Sequence, residues 1–194
     1  MEVPPKKEIE ILPFKTIKAF EKWLSKNHDY AEGIWLKFYK KDSGEKSITH
    51  EEAIHEALCY GWIDGQANKF DDISWIQKFT PRRPRSIWSK RNIAIIERLT
   101  ELGKMKPSGA AEVEKARADG RWEKAYDSPA NMTVPPDFMK ALSKNKKAKT
   151  FFESLNKTNK YAICWRLQTA KKPETKEKRI KAIIEMLAKG EKFH

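Results

Sequence analysis

Residues whose side chains can do chemistry concentrate in one segment of the sequence, residues 60–92. Asp64 stands between two glycines in the run Gly61-Trp62-Ile63-Asp64-Gly65, and the arginine segment Pro81-Arg82-Arg83-Pro84-Arg85 follows it. Residues 81–91 hold five positive charges and no acid. Guanidinium groups bind phosphate or carboxylate through paired hydrogen bonds, and a helix start just beyond them also favours an anion. The segment therefore predicts a site for an anionic ligand.

Each residue type in this segment has a role that its chemistry suggests. The predicted ligand-binding residues are Trp62, Asp64, Arg82, Arg83, Trp88, Ser89, Lys90 and Asn92. In this hypothesis Trp88 stacks on a planar ring, and Asp64 orients an arginine or contacts a ligand hydroxyl. The alternative is structural: Asp64 pairs with Arg82 or Arg83 and locks the hairpin, while both tryptophans belong to the core. A third hypothesis is an enzyme with Asp64 as acid or base, and the sequence leaves all three open.

Histidine and cysteine give a weaker signal. His55 and Cys59 share a helix face, but no second pair with metal-ligand spacing accompanies them. We therefore predict a packed histidine and a buried, reduced thiol, and we predict neither a metal nor a cofactor. No glycine-rich phosphate loop or hydrolase motif occurs, so the sequence assigns no catalytic residue and leaves enzymatic activity uncertain.

The apolar pattern predicts the elements that position these residues. Alternation predicts strands over residues 7–14, 34–40, 62–70 and 73–80, the last two joined as a hairpin near residues 71–72. Helical spacing with cap signals predicts helices over residues 16–27, 49–61, 88–102, 107–119, 137–143, 148–155, 158–169 and 174–188. This order predicts an α+β fold: a small mixed or antiparallel sheet of about four strands covered by helices, followed by a C-terminal all-helical unit.

Composition excludes several classes of protein. The 194 residues are 39% hydrophobic and include 40 Lys plus Arg and 27 Asp plus Glu, a net charge of +13. This apolar content excludes general disorder, and no apolar run is long enough to span a membrane. The first 14 residues lack a signal-peptide pattern, so we expect a cytoplasmic protein. Oligomeric state is left open.

The charge is concentrated in the C-terminal quarter. Residues 140–194 hold 16 basic and five acidic residues, a net charge of +11, whereas residues 1–139 carry only +2. We predict an α+β domain over residues 1–130, a Pro-rich linker over residues 131–136 and a basic helical module over residues 137–194. The basic module suggests a polyanionic partner, but Lys outnumbers Arg there. Nucleic-acid binding by these helices is therefore an alternative that we do not favour.

Several motifs resemble one bacterial family. They are Ala57-Leu58-Cys59-Tyr60-Gly61-Trp62-Ile63-Asp64-Gly65, Phe79-Thr80-Pro81-Arg82-Arg83-Pro84, Trp88-Ser89-Lys90-x-Asn92, Glu97-Arg98-Leu99, Asp119-Gly120-Arg121-Trp122 and the tail run Ala170-Lys171-Lys172-Pro173-Glu174-Thr175-Lys176 with Arg179-Ile180. In these motifs the chain resembles the bacteriocin-protection, YdeI/OmpD-associated (OmdA) family, whose C-terminal helical module the tail matches. The resemblance implies a soluble bacterial protein with a role in bacteriocin or envelope stress, but no reaction, ligand or catalytic residue. Combined with the residues above, it predicts a protein that binds an anionic small molecule or polyanion.

Overall fold

The chain divides into two compact units in a computed structural model that describes residues 9–194. One unit, here called the sheet unit, comprises residues up to 86 together with 92–123; the other, the helical unit, comprises residues 87–91 and 124–194. The domain boundaries expected from the sequence stay predictions. Among the residues that the structure describes, no helix is long and apolar enough to cross a lipid bilayer.

The sheet unit is built on a four-stranded mixed sheet in the order β1-β2-β4-β3. Its elements are β1 (Ile11–Pro13), α1 (Ile17–Asn27), β2 (Ile34–Tyr39), α2 (His50–Cys59), β3 (Trp62–Lys69), β4 (Ser74–Pro81), α3 (Lys90–Glu101, of which the first two residues group with the helical unit) and α4 (Pro107–Ala118). Strand β1 runs parallel to β2, and the other neighbours are antiparallel. The predicted α+β class is confirmed. The first strand is shorter than expected and ends at Pro13, which has no N–H for the ladder; residues 7 and 8 lie outside the described part of the chain.

Strict alternation along β2 decides which face of that strand is buried. Ile34, Leu36 and Phe38 expose at most 2% of their surface, whereas the residues between them are half-buried. Their partners on β4 are Phe79, Gln77 and Trp75, in that order. Opposite residues of an antiparallel pair share a face. These six side chains therefore lie on one face, as the alternation predicts.

Side-chain caps fix the starts of α1 and α2. The Thr16 hydroxyl accepts a hydrogen bond from the Ala19 N–H at 3.3 Å. Thr49 and Glu52 form the reciprocal capping box that the sequence predicts, with the Glu52 N–H donating to the Thr49 hydroxyl and the Thr49 N–H donating to the Glu52 carboxylate. Such caps satisfy backbone donors that the first helical turn leaves open.

Helices α2 and α4 approach each other through a glycine. A Cβ atom added to Gly109 would lie 2.1 Å from the Cys59 carbonyl oxygen. The Lys106 N–H donates to this same carbonyl at 3.0 Å, so the end of α2 rests on the start of α4. Only a residue without a side chain permits this distance.

The helical unit contains α5 (Pro136–Leu142), α6 (Lys146–Ser154), α7 (Lys157–Gln168) and α8 (Pro173–Ala188). These helices enclose a separate apolar core formed by Phe138, Leu142, Ala148, Phe152, Leu155, Ile163, Leu167, Ile183 and Leu187. All four named strands lie before residue 82, which confirms the predicted all-helical C-terminal part.

We expect Gly109→Ala to destabilise the protein by about 1–3 kcal/mol, because the added methyl group overlaps the Cys59 carbonyl. At an ordinary helical position the same change stabilises by about 1 kcal/mol. Urea unfolding measures the difference in free energy of unfolding between the variant and wild type. The control is Ala110→Gly at the exposed neighbouring position, which changes helix propensity without a steric overlap. A more stable Gly109→Ala variant would show that the two helices are not in contact there.

Candidate functional site

The arginine segment folds as a tight turn. The Ser86 N–H donates to the Arg83 carbonyl at 3.0 Å, and the Ser86 hydroxyl accepts from the Arg83 N–H at 3.0 Å. Pro84 precedes Arg85, whose φ is 74°. Pro at the second position and a positive φ at the third define a type II turn, in which glycine is the usual third residue. Arg85 therefore holds a backbone conformation that side chains disfavour.

The segment Asp119–Trp122 contacts this turn within the sheet unit. Arg121 donates through Nη1 to the Ser86 carbonyl at 3.0 Å, and its Nε lies 2.7 Å from a carboxylate oxygen of Asp119. Arg117 lies over the ring of Trp122 at 5.1 Å. The segment Asp119–Trp122 thus anchors the arginine turn.

Trp62 and Arg82 lie side by side but are buried. Trp62 exposes none of its surface: its indole N–H donates to the His28 carbonyl at 2.7 Å, and its ring packs edge-on against Trp23 at 5.6 Å. Arg82 exposes 6% of its surface, and its backbone N–H donates to the Gly61 carbonyl. Arg83 alone among these three predicted ligand-binding residues is exposed.

Asp64 lies against Gln77 and His50. Its carboxylate accepts a hydrogen bond from the Gln77 side chain at 2.9 Å and lies 4.0 Å from Nε2 of His50. The pairing of Asp64 with Arg82 or Arg83, which the structural alternative expects, stays a prediction.

The strand register separates the backbones of Asp64 and Arg82. Asp64 stands opposite Phe79, whereas Arg82 follows the Trp62–Pro81 pair. At about 3.3 Å per residue, the backbone of Arg82 lies roughly 10 Å along the ladder from that of Asp64. A bulge between Asp64 and Ala67 places one extra residue on β3 and bends the strand just beyond the carboxylate.

Trp88, Ser89 and Lys90 belong to the helical unit, whereas Asn92 groups with the sheet unit and is buried in α3. Trp88 is 1% exposed, and its carbonyl accepts from the Tyr126 N–H, while Ser89 pairs with Tyr126 in an isolated bridge. The predicted ligand-binding set is thus distributed over both units, and its role in binding stays a prediction.

Lys90 forms an ion pair with a buried carboxylate of the helical unit. Its ammonium group lies 2.6 Å from Asp127, whose side chain is 6% exposed. The other Asp127 oxygen accepts from the Gln168 amide at 2.7 Å and the Thr133 hydroxyl at 2.9 Å. The Lys90 contact above all, with these two further donors, lowers the pKa of Asp127 from 3.8 to about 2. This cluster connects the segment before α5 to the end of α7.

A cleft of about 560 Å³ lies at the edge of the sheet unit, where the loop after β2 meets the start of α2. The sequence analysis did not find it. We call it the basic cleft; its lining residues are Lys15, Phe38, Tyr39, Lys40, Lys41, Glu45, Lys46, Ser47, Ile48, Thr49, His50 and Trp75.

Aromatic rings form the floor of the basic cleft. Trp75, which is half-buried, stacks on Phe38 with ring centres 4.5 Å apart. The His50 ring lies 5.6 Å from Trp75 and 5.8 Å from Phe38, and its Nε2 atom faces Asp64. The β2–β4 register pairs Phe38 with Trp75 directly, so the sheet itself builds this floor.

Four ammonium groups surround this floor. Lys15, Lys40, Lys41 and Lys46 are all exposed, against one acid, Glu45. Within residues 9–194, none of the four lies within 4 Å of a carboxylate oxygen. Lys40 donates to the Asp72 carbonyl at 2.7 Å, which positions its chain beside the cleft. The only sequence signal was the density of lysines around the turn at residues 42–44.

The cysteines have no role in either site. Cys59 and Cys164 are buried and free, as predicted. Burial raises the pKa of Cys59 to about 12 and that of Cys164 to about 11. Neither thiol ionises near neutral pH, so neither is a nucleophile there.

The fold and its clefts define a two-part protein: an α+β unit with a basic, aromatic-floored cleft and a basic helical unit. Residues 12–112 match the profile described as a domain of unknown function (DUF8412). Because this match covers just over half of the chain, the chain belongs to that family. Residues 131–190 match the profile described as bacteriocin-protection, YdeI or OmpD-associated, which confirms the family resemblance in the tail run at residues 170–180. The motifs between residues 57 and 99 lie instead within the match at residues 12–112. Comparisons with curated proteins and with solved structures gave no match.

We expect Asp64→Asn and Arg82→Met to change stability additively, within about 0.5 kcal/mol, because their backbones lie roughly 10 Å apart along the ladder and Gln77 holds the Asp64 carboxylate. A double-mutant cycle from urea unfolding measures this. Asp119→Asn with Arg121→Met is the positive control and should show coupling, since those groups lie 2.7 Å apart. Coupling above 1 kcal/mol between Asp64 and Arg82 would support the structural lock.

We expect Asp127→Asn to destabilise the protein by about 1–2 kcal/mol at pH 7, allowing for solvent screening of the exposed Lys90. The pKa of Asp127 is lowered in the folded state, so the ionised form stabilises the fold above about pH 4. This contribution disappears as pH falls towards 2. The difference in the free energy of unfolding between the variant and wild type should therefore fall by about half at pH 3. Urea midpoints at both pH values test this, with Asp42→Asn, an exposed carboxylate, as the control that should match wild type.

Proposed function

We propose that this protein binds an anionic small molecule with a flat apolar part in the basic cleft, as part of a role in protection against bacteriocin or envelope stress. The protective role is suggested by the printed description of the family matched at residues 131–190. The ligand class is suggested by the cleft. A cytoplasmic location belongs to the same proposal.

One observation carries the ligand class: four ammonium groups, which have no carboxylate partner among residues 9–194, surround an aromatic floor. Ammonium groups attract phosphate or carboxylate, and the half-buried Trp75 offers a face on which a planar ring can stack. A cleft of about 560 Å³ is within the size range of small-molecule sites. The N-terminus of α2 contributes little to anion binding, because its capping box already uses two of the backbone N–H groups there.

The lining of the basic cleft also includes a polar ring, that of His50. Gln77, which is 6% exposed, holds the Asp64 carboxylate, and His50 lies between this carboxylate and the cleft floor. In this proposal Asp64 contributes negative charge near His50, at a distance of 4.0 Å. An enzyme with Asp64 as acid or base stays an alternative hypothesis, with His50 as its nearest ionisable neighbour.

Nucleic-acid binding by the lysine-rich helices stays a less favoured hypothesis. Lys144, Lys147 and Lys149 are exposed, and Lys149 lies 3.8 Å from Glu153. Changing the three to Glu should weaken non-specific DNA binding and flatten its salt slope if this hypothesis holds. Submicromolar DNA binding at physiological salt would favour it over the small-molecule proposal.

Calorimetry with adenosine monophosphate and with inorganic phosphate tests the proposal, since the first probe has a flat ring and the second has none. We expect Lys41→Gln with Lys46→Gln to weaken binding of both probes by about tenfold. Trp75→Leu should weaken the nucleotide by at least about fivefold while leaving phosphate unchanged.

Lys22→Gln with Lys26→Gln is the matched control, because these exposed α1 lysines carry the same charge away from the cleft. It should leave both affinities within about twofold of wild type. Equal losses in the two double variants would indicate a general charge effect. Loss of binding in Arg83→Met alone would instead place the site at the arginine turn, as the sequence predicts.

A further inference from the structure

A groove with an apolar floor runs along the helical unit between α5 and α8. It encloses about 540 Å³. Ile180 and Ile184 of α8 and Ala141 of α5 form its floor, and all three are half-buried. The two isoleucines stand one helical turn apart, so they present a continuous ridge. Both also pack against the core of the unit, which fixes their positions.

The rim of this groove is acidic. Asp137, Glu177 and Glu185 line it, against one basic residue, Lys181. Lys176 pairs with Asp137 at 2.6 Å. Glu177 and Glu185 are exposed, and among the residues that the structure describes neither lies within 4 Å of a cationic nitrogen. Two free carboxylates therefore stand beside an apolar floor.

This charge is the opposite of that of the surrounding chain. Residues 140–194 carry a net charge of +11 and contain only five acidic residues, of which Glu177 and Glu185 line the groove. Charges farther away than a Debye length of about 8 Å are largely screened at physiological salt. Within the groove lining, the three acidic residues outnumber Lys181.

We propose that the groove binds an amphipathic helix that carries Lys or Arg beside an apolar stripe. Helix-in-groove recognition uses apolar anchors at i, i+3, i+4 and i+7, which the ridge of Ile180 and Ile184 accommodates. Glu177 and Glu185 lie eight residues apart on α8, about 12 Å along its axis. Basic side chains about two turns apart on the bound helix reach both carboxylates at once.

The test uses a capped, fluorescein-labelled peptide of about 15 residues with Leu along one face and Lys on both flanks of that face. Fluorescence anisotropy at physiological salt measures its affinity for the full chain. We expect Glu177→Gln with Glu185→Gln to weaken binding by about tenfold. Both positions are exposed, so the fold should tolerate the change. A peptide with Glu in place of every Lys should not bind.

Glu153→Gln with Glu191→Gln is the matched control, since these exposed acids lie outside the groove lining and the change in net charge is the same. This variant should bind within about twofold of wild type. Equal losses in the two variants, binding of the Glu peptide, or no binding of the Lys peptide would overturn the proposal. Sedimentation velocity tests whether a second copy of the chain occupies the groove instead. Self-association that the groove variant abolishes would assign the groove to that second copy.

Discussion

The two-residue period of the sheet decides where chemistry is available in the sheet unit. Strand β2 buries alternate residues, and a slip of one residue would expose its whole apolar set. Any polar side chain on the buried face must therefore find a partner inside. Asp64 and Gln77 meet this requirement with each other, at 2.9 Å. The Asp64 carboxylate held in this way lies 4.0 Å from Nε2 of His50, at the start of α2.

The same constraint builds the basic cleft. At the end of this face, buried Phe38 stacks on half-buried Trp75, and His50 at the start of α2 lies against both rings. The neighbouring loop then supplies the lysines. Rigid strands thus place the aromatic floor, whereas exposed and adaptable side chains supply the charge, so the cleft combines a fixed shape with an adjustable rim.

Local patterns were sufficient to predict most elements, and pairing between distant residues was not. The Thr49–Glu52 capping box and the hairpin between β3 and β4 depend on residues close in sequence, and both are present. The contacts of Asp64 depend on β-register and on a bulge, neither of which a propensity reveals. The basic cleft escaped prediction for the same reason, since Trp75 lies about thirty residues beyond the lysines that surround it. Whether Trp88, Ser89 and Lys90 hold a ligand stays a prediction.

The two buried cysteines allow the opening of each unit to be measured separately. Cys59 lies in the sheet unit and Cys164 in the helical unit, and each is at most 2% exposed. A thiol reagent reaches such a sulfur only when the surrounding structure opens. The modification rate of each cysteine therefore reports how often its own unit opens, so one labelling experiment, read by mass spectrometry after digestion, shows whether the two halves of the chain unfold together or separately.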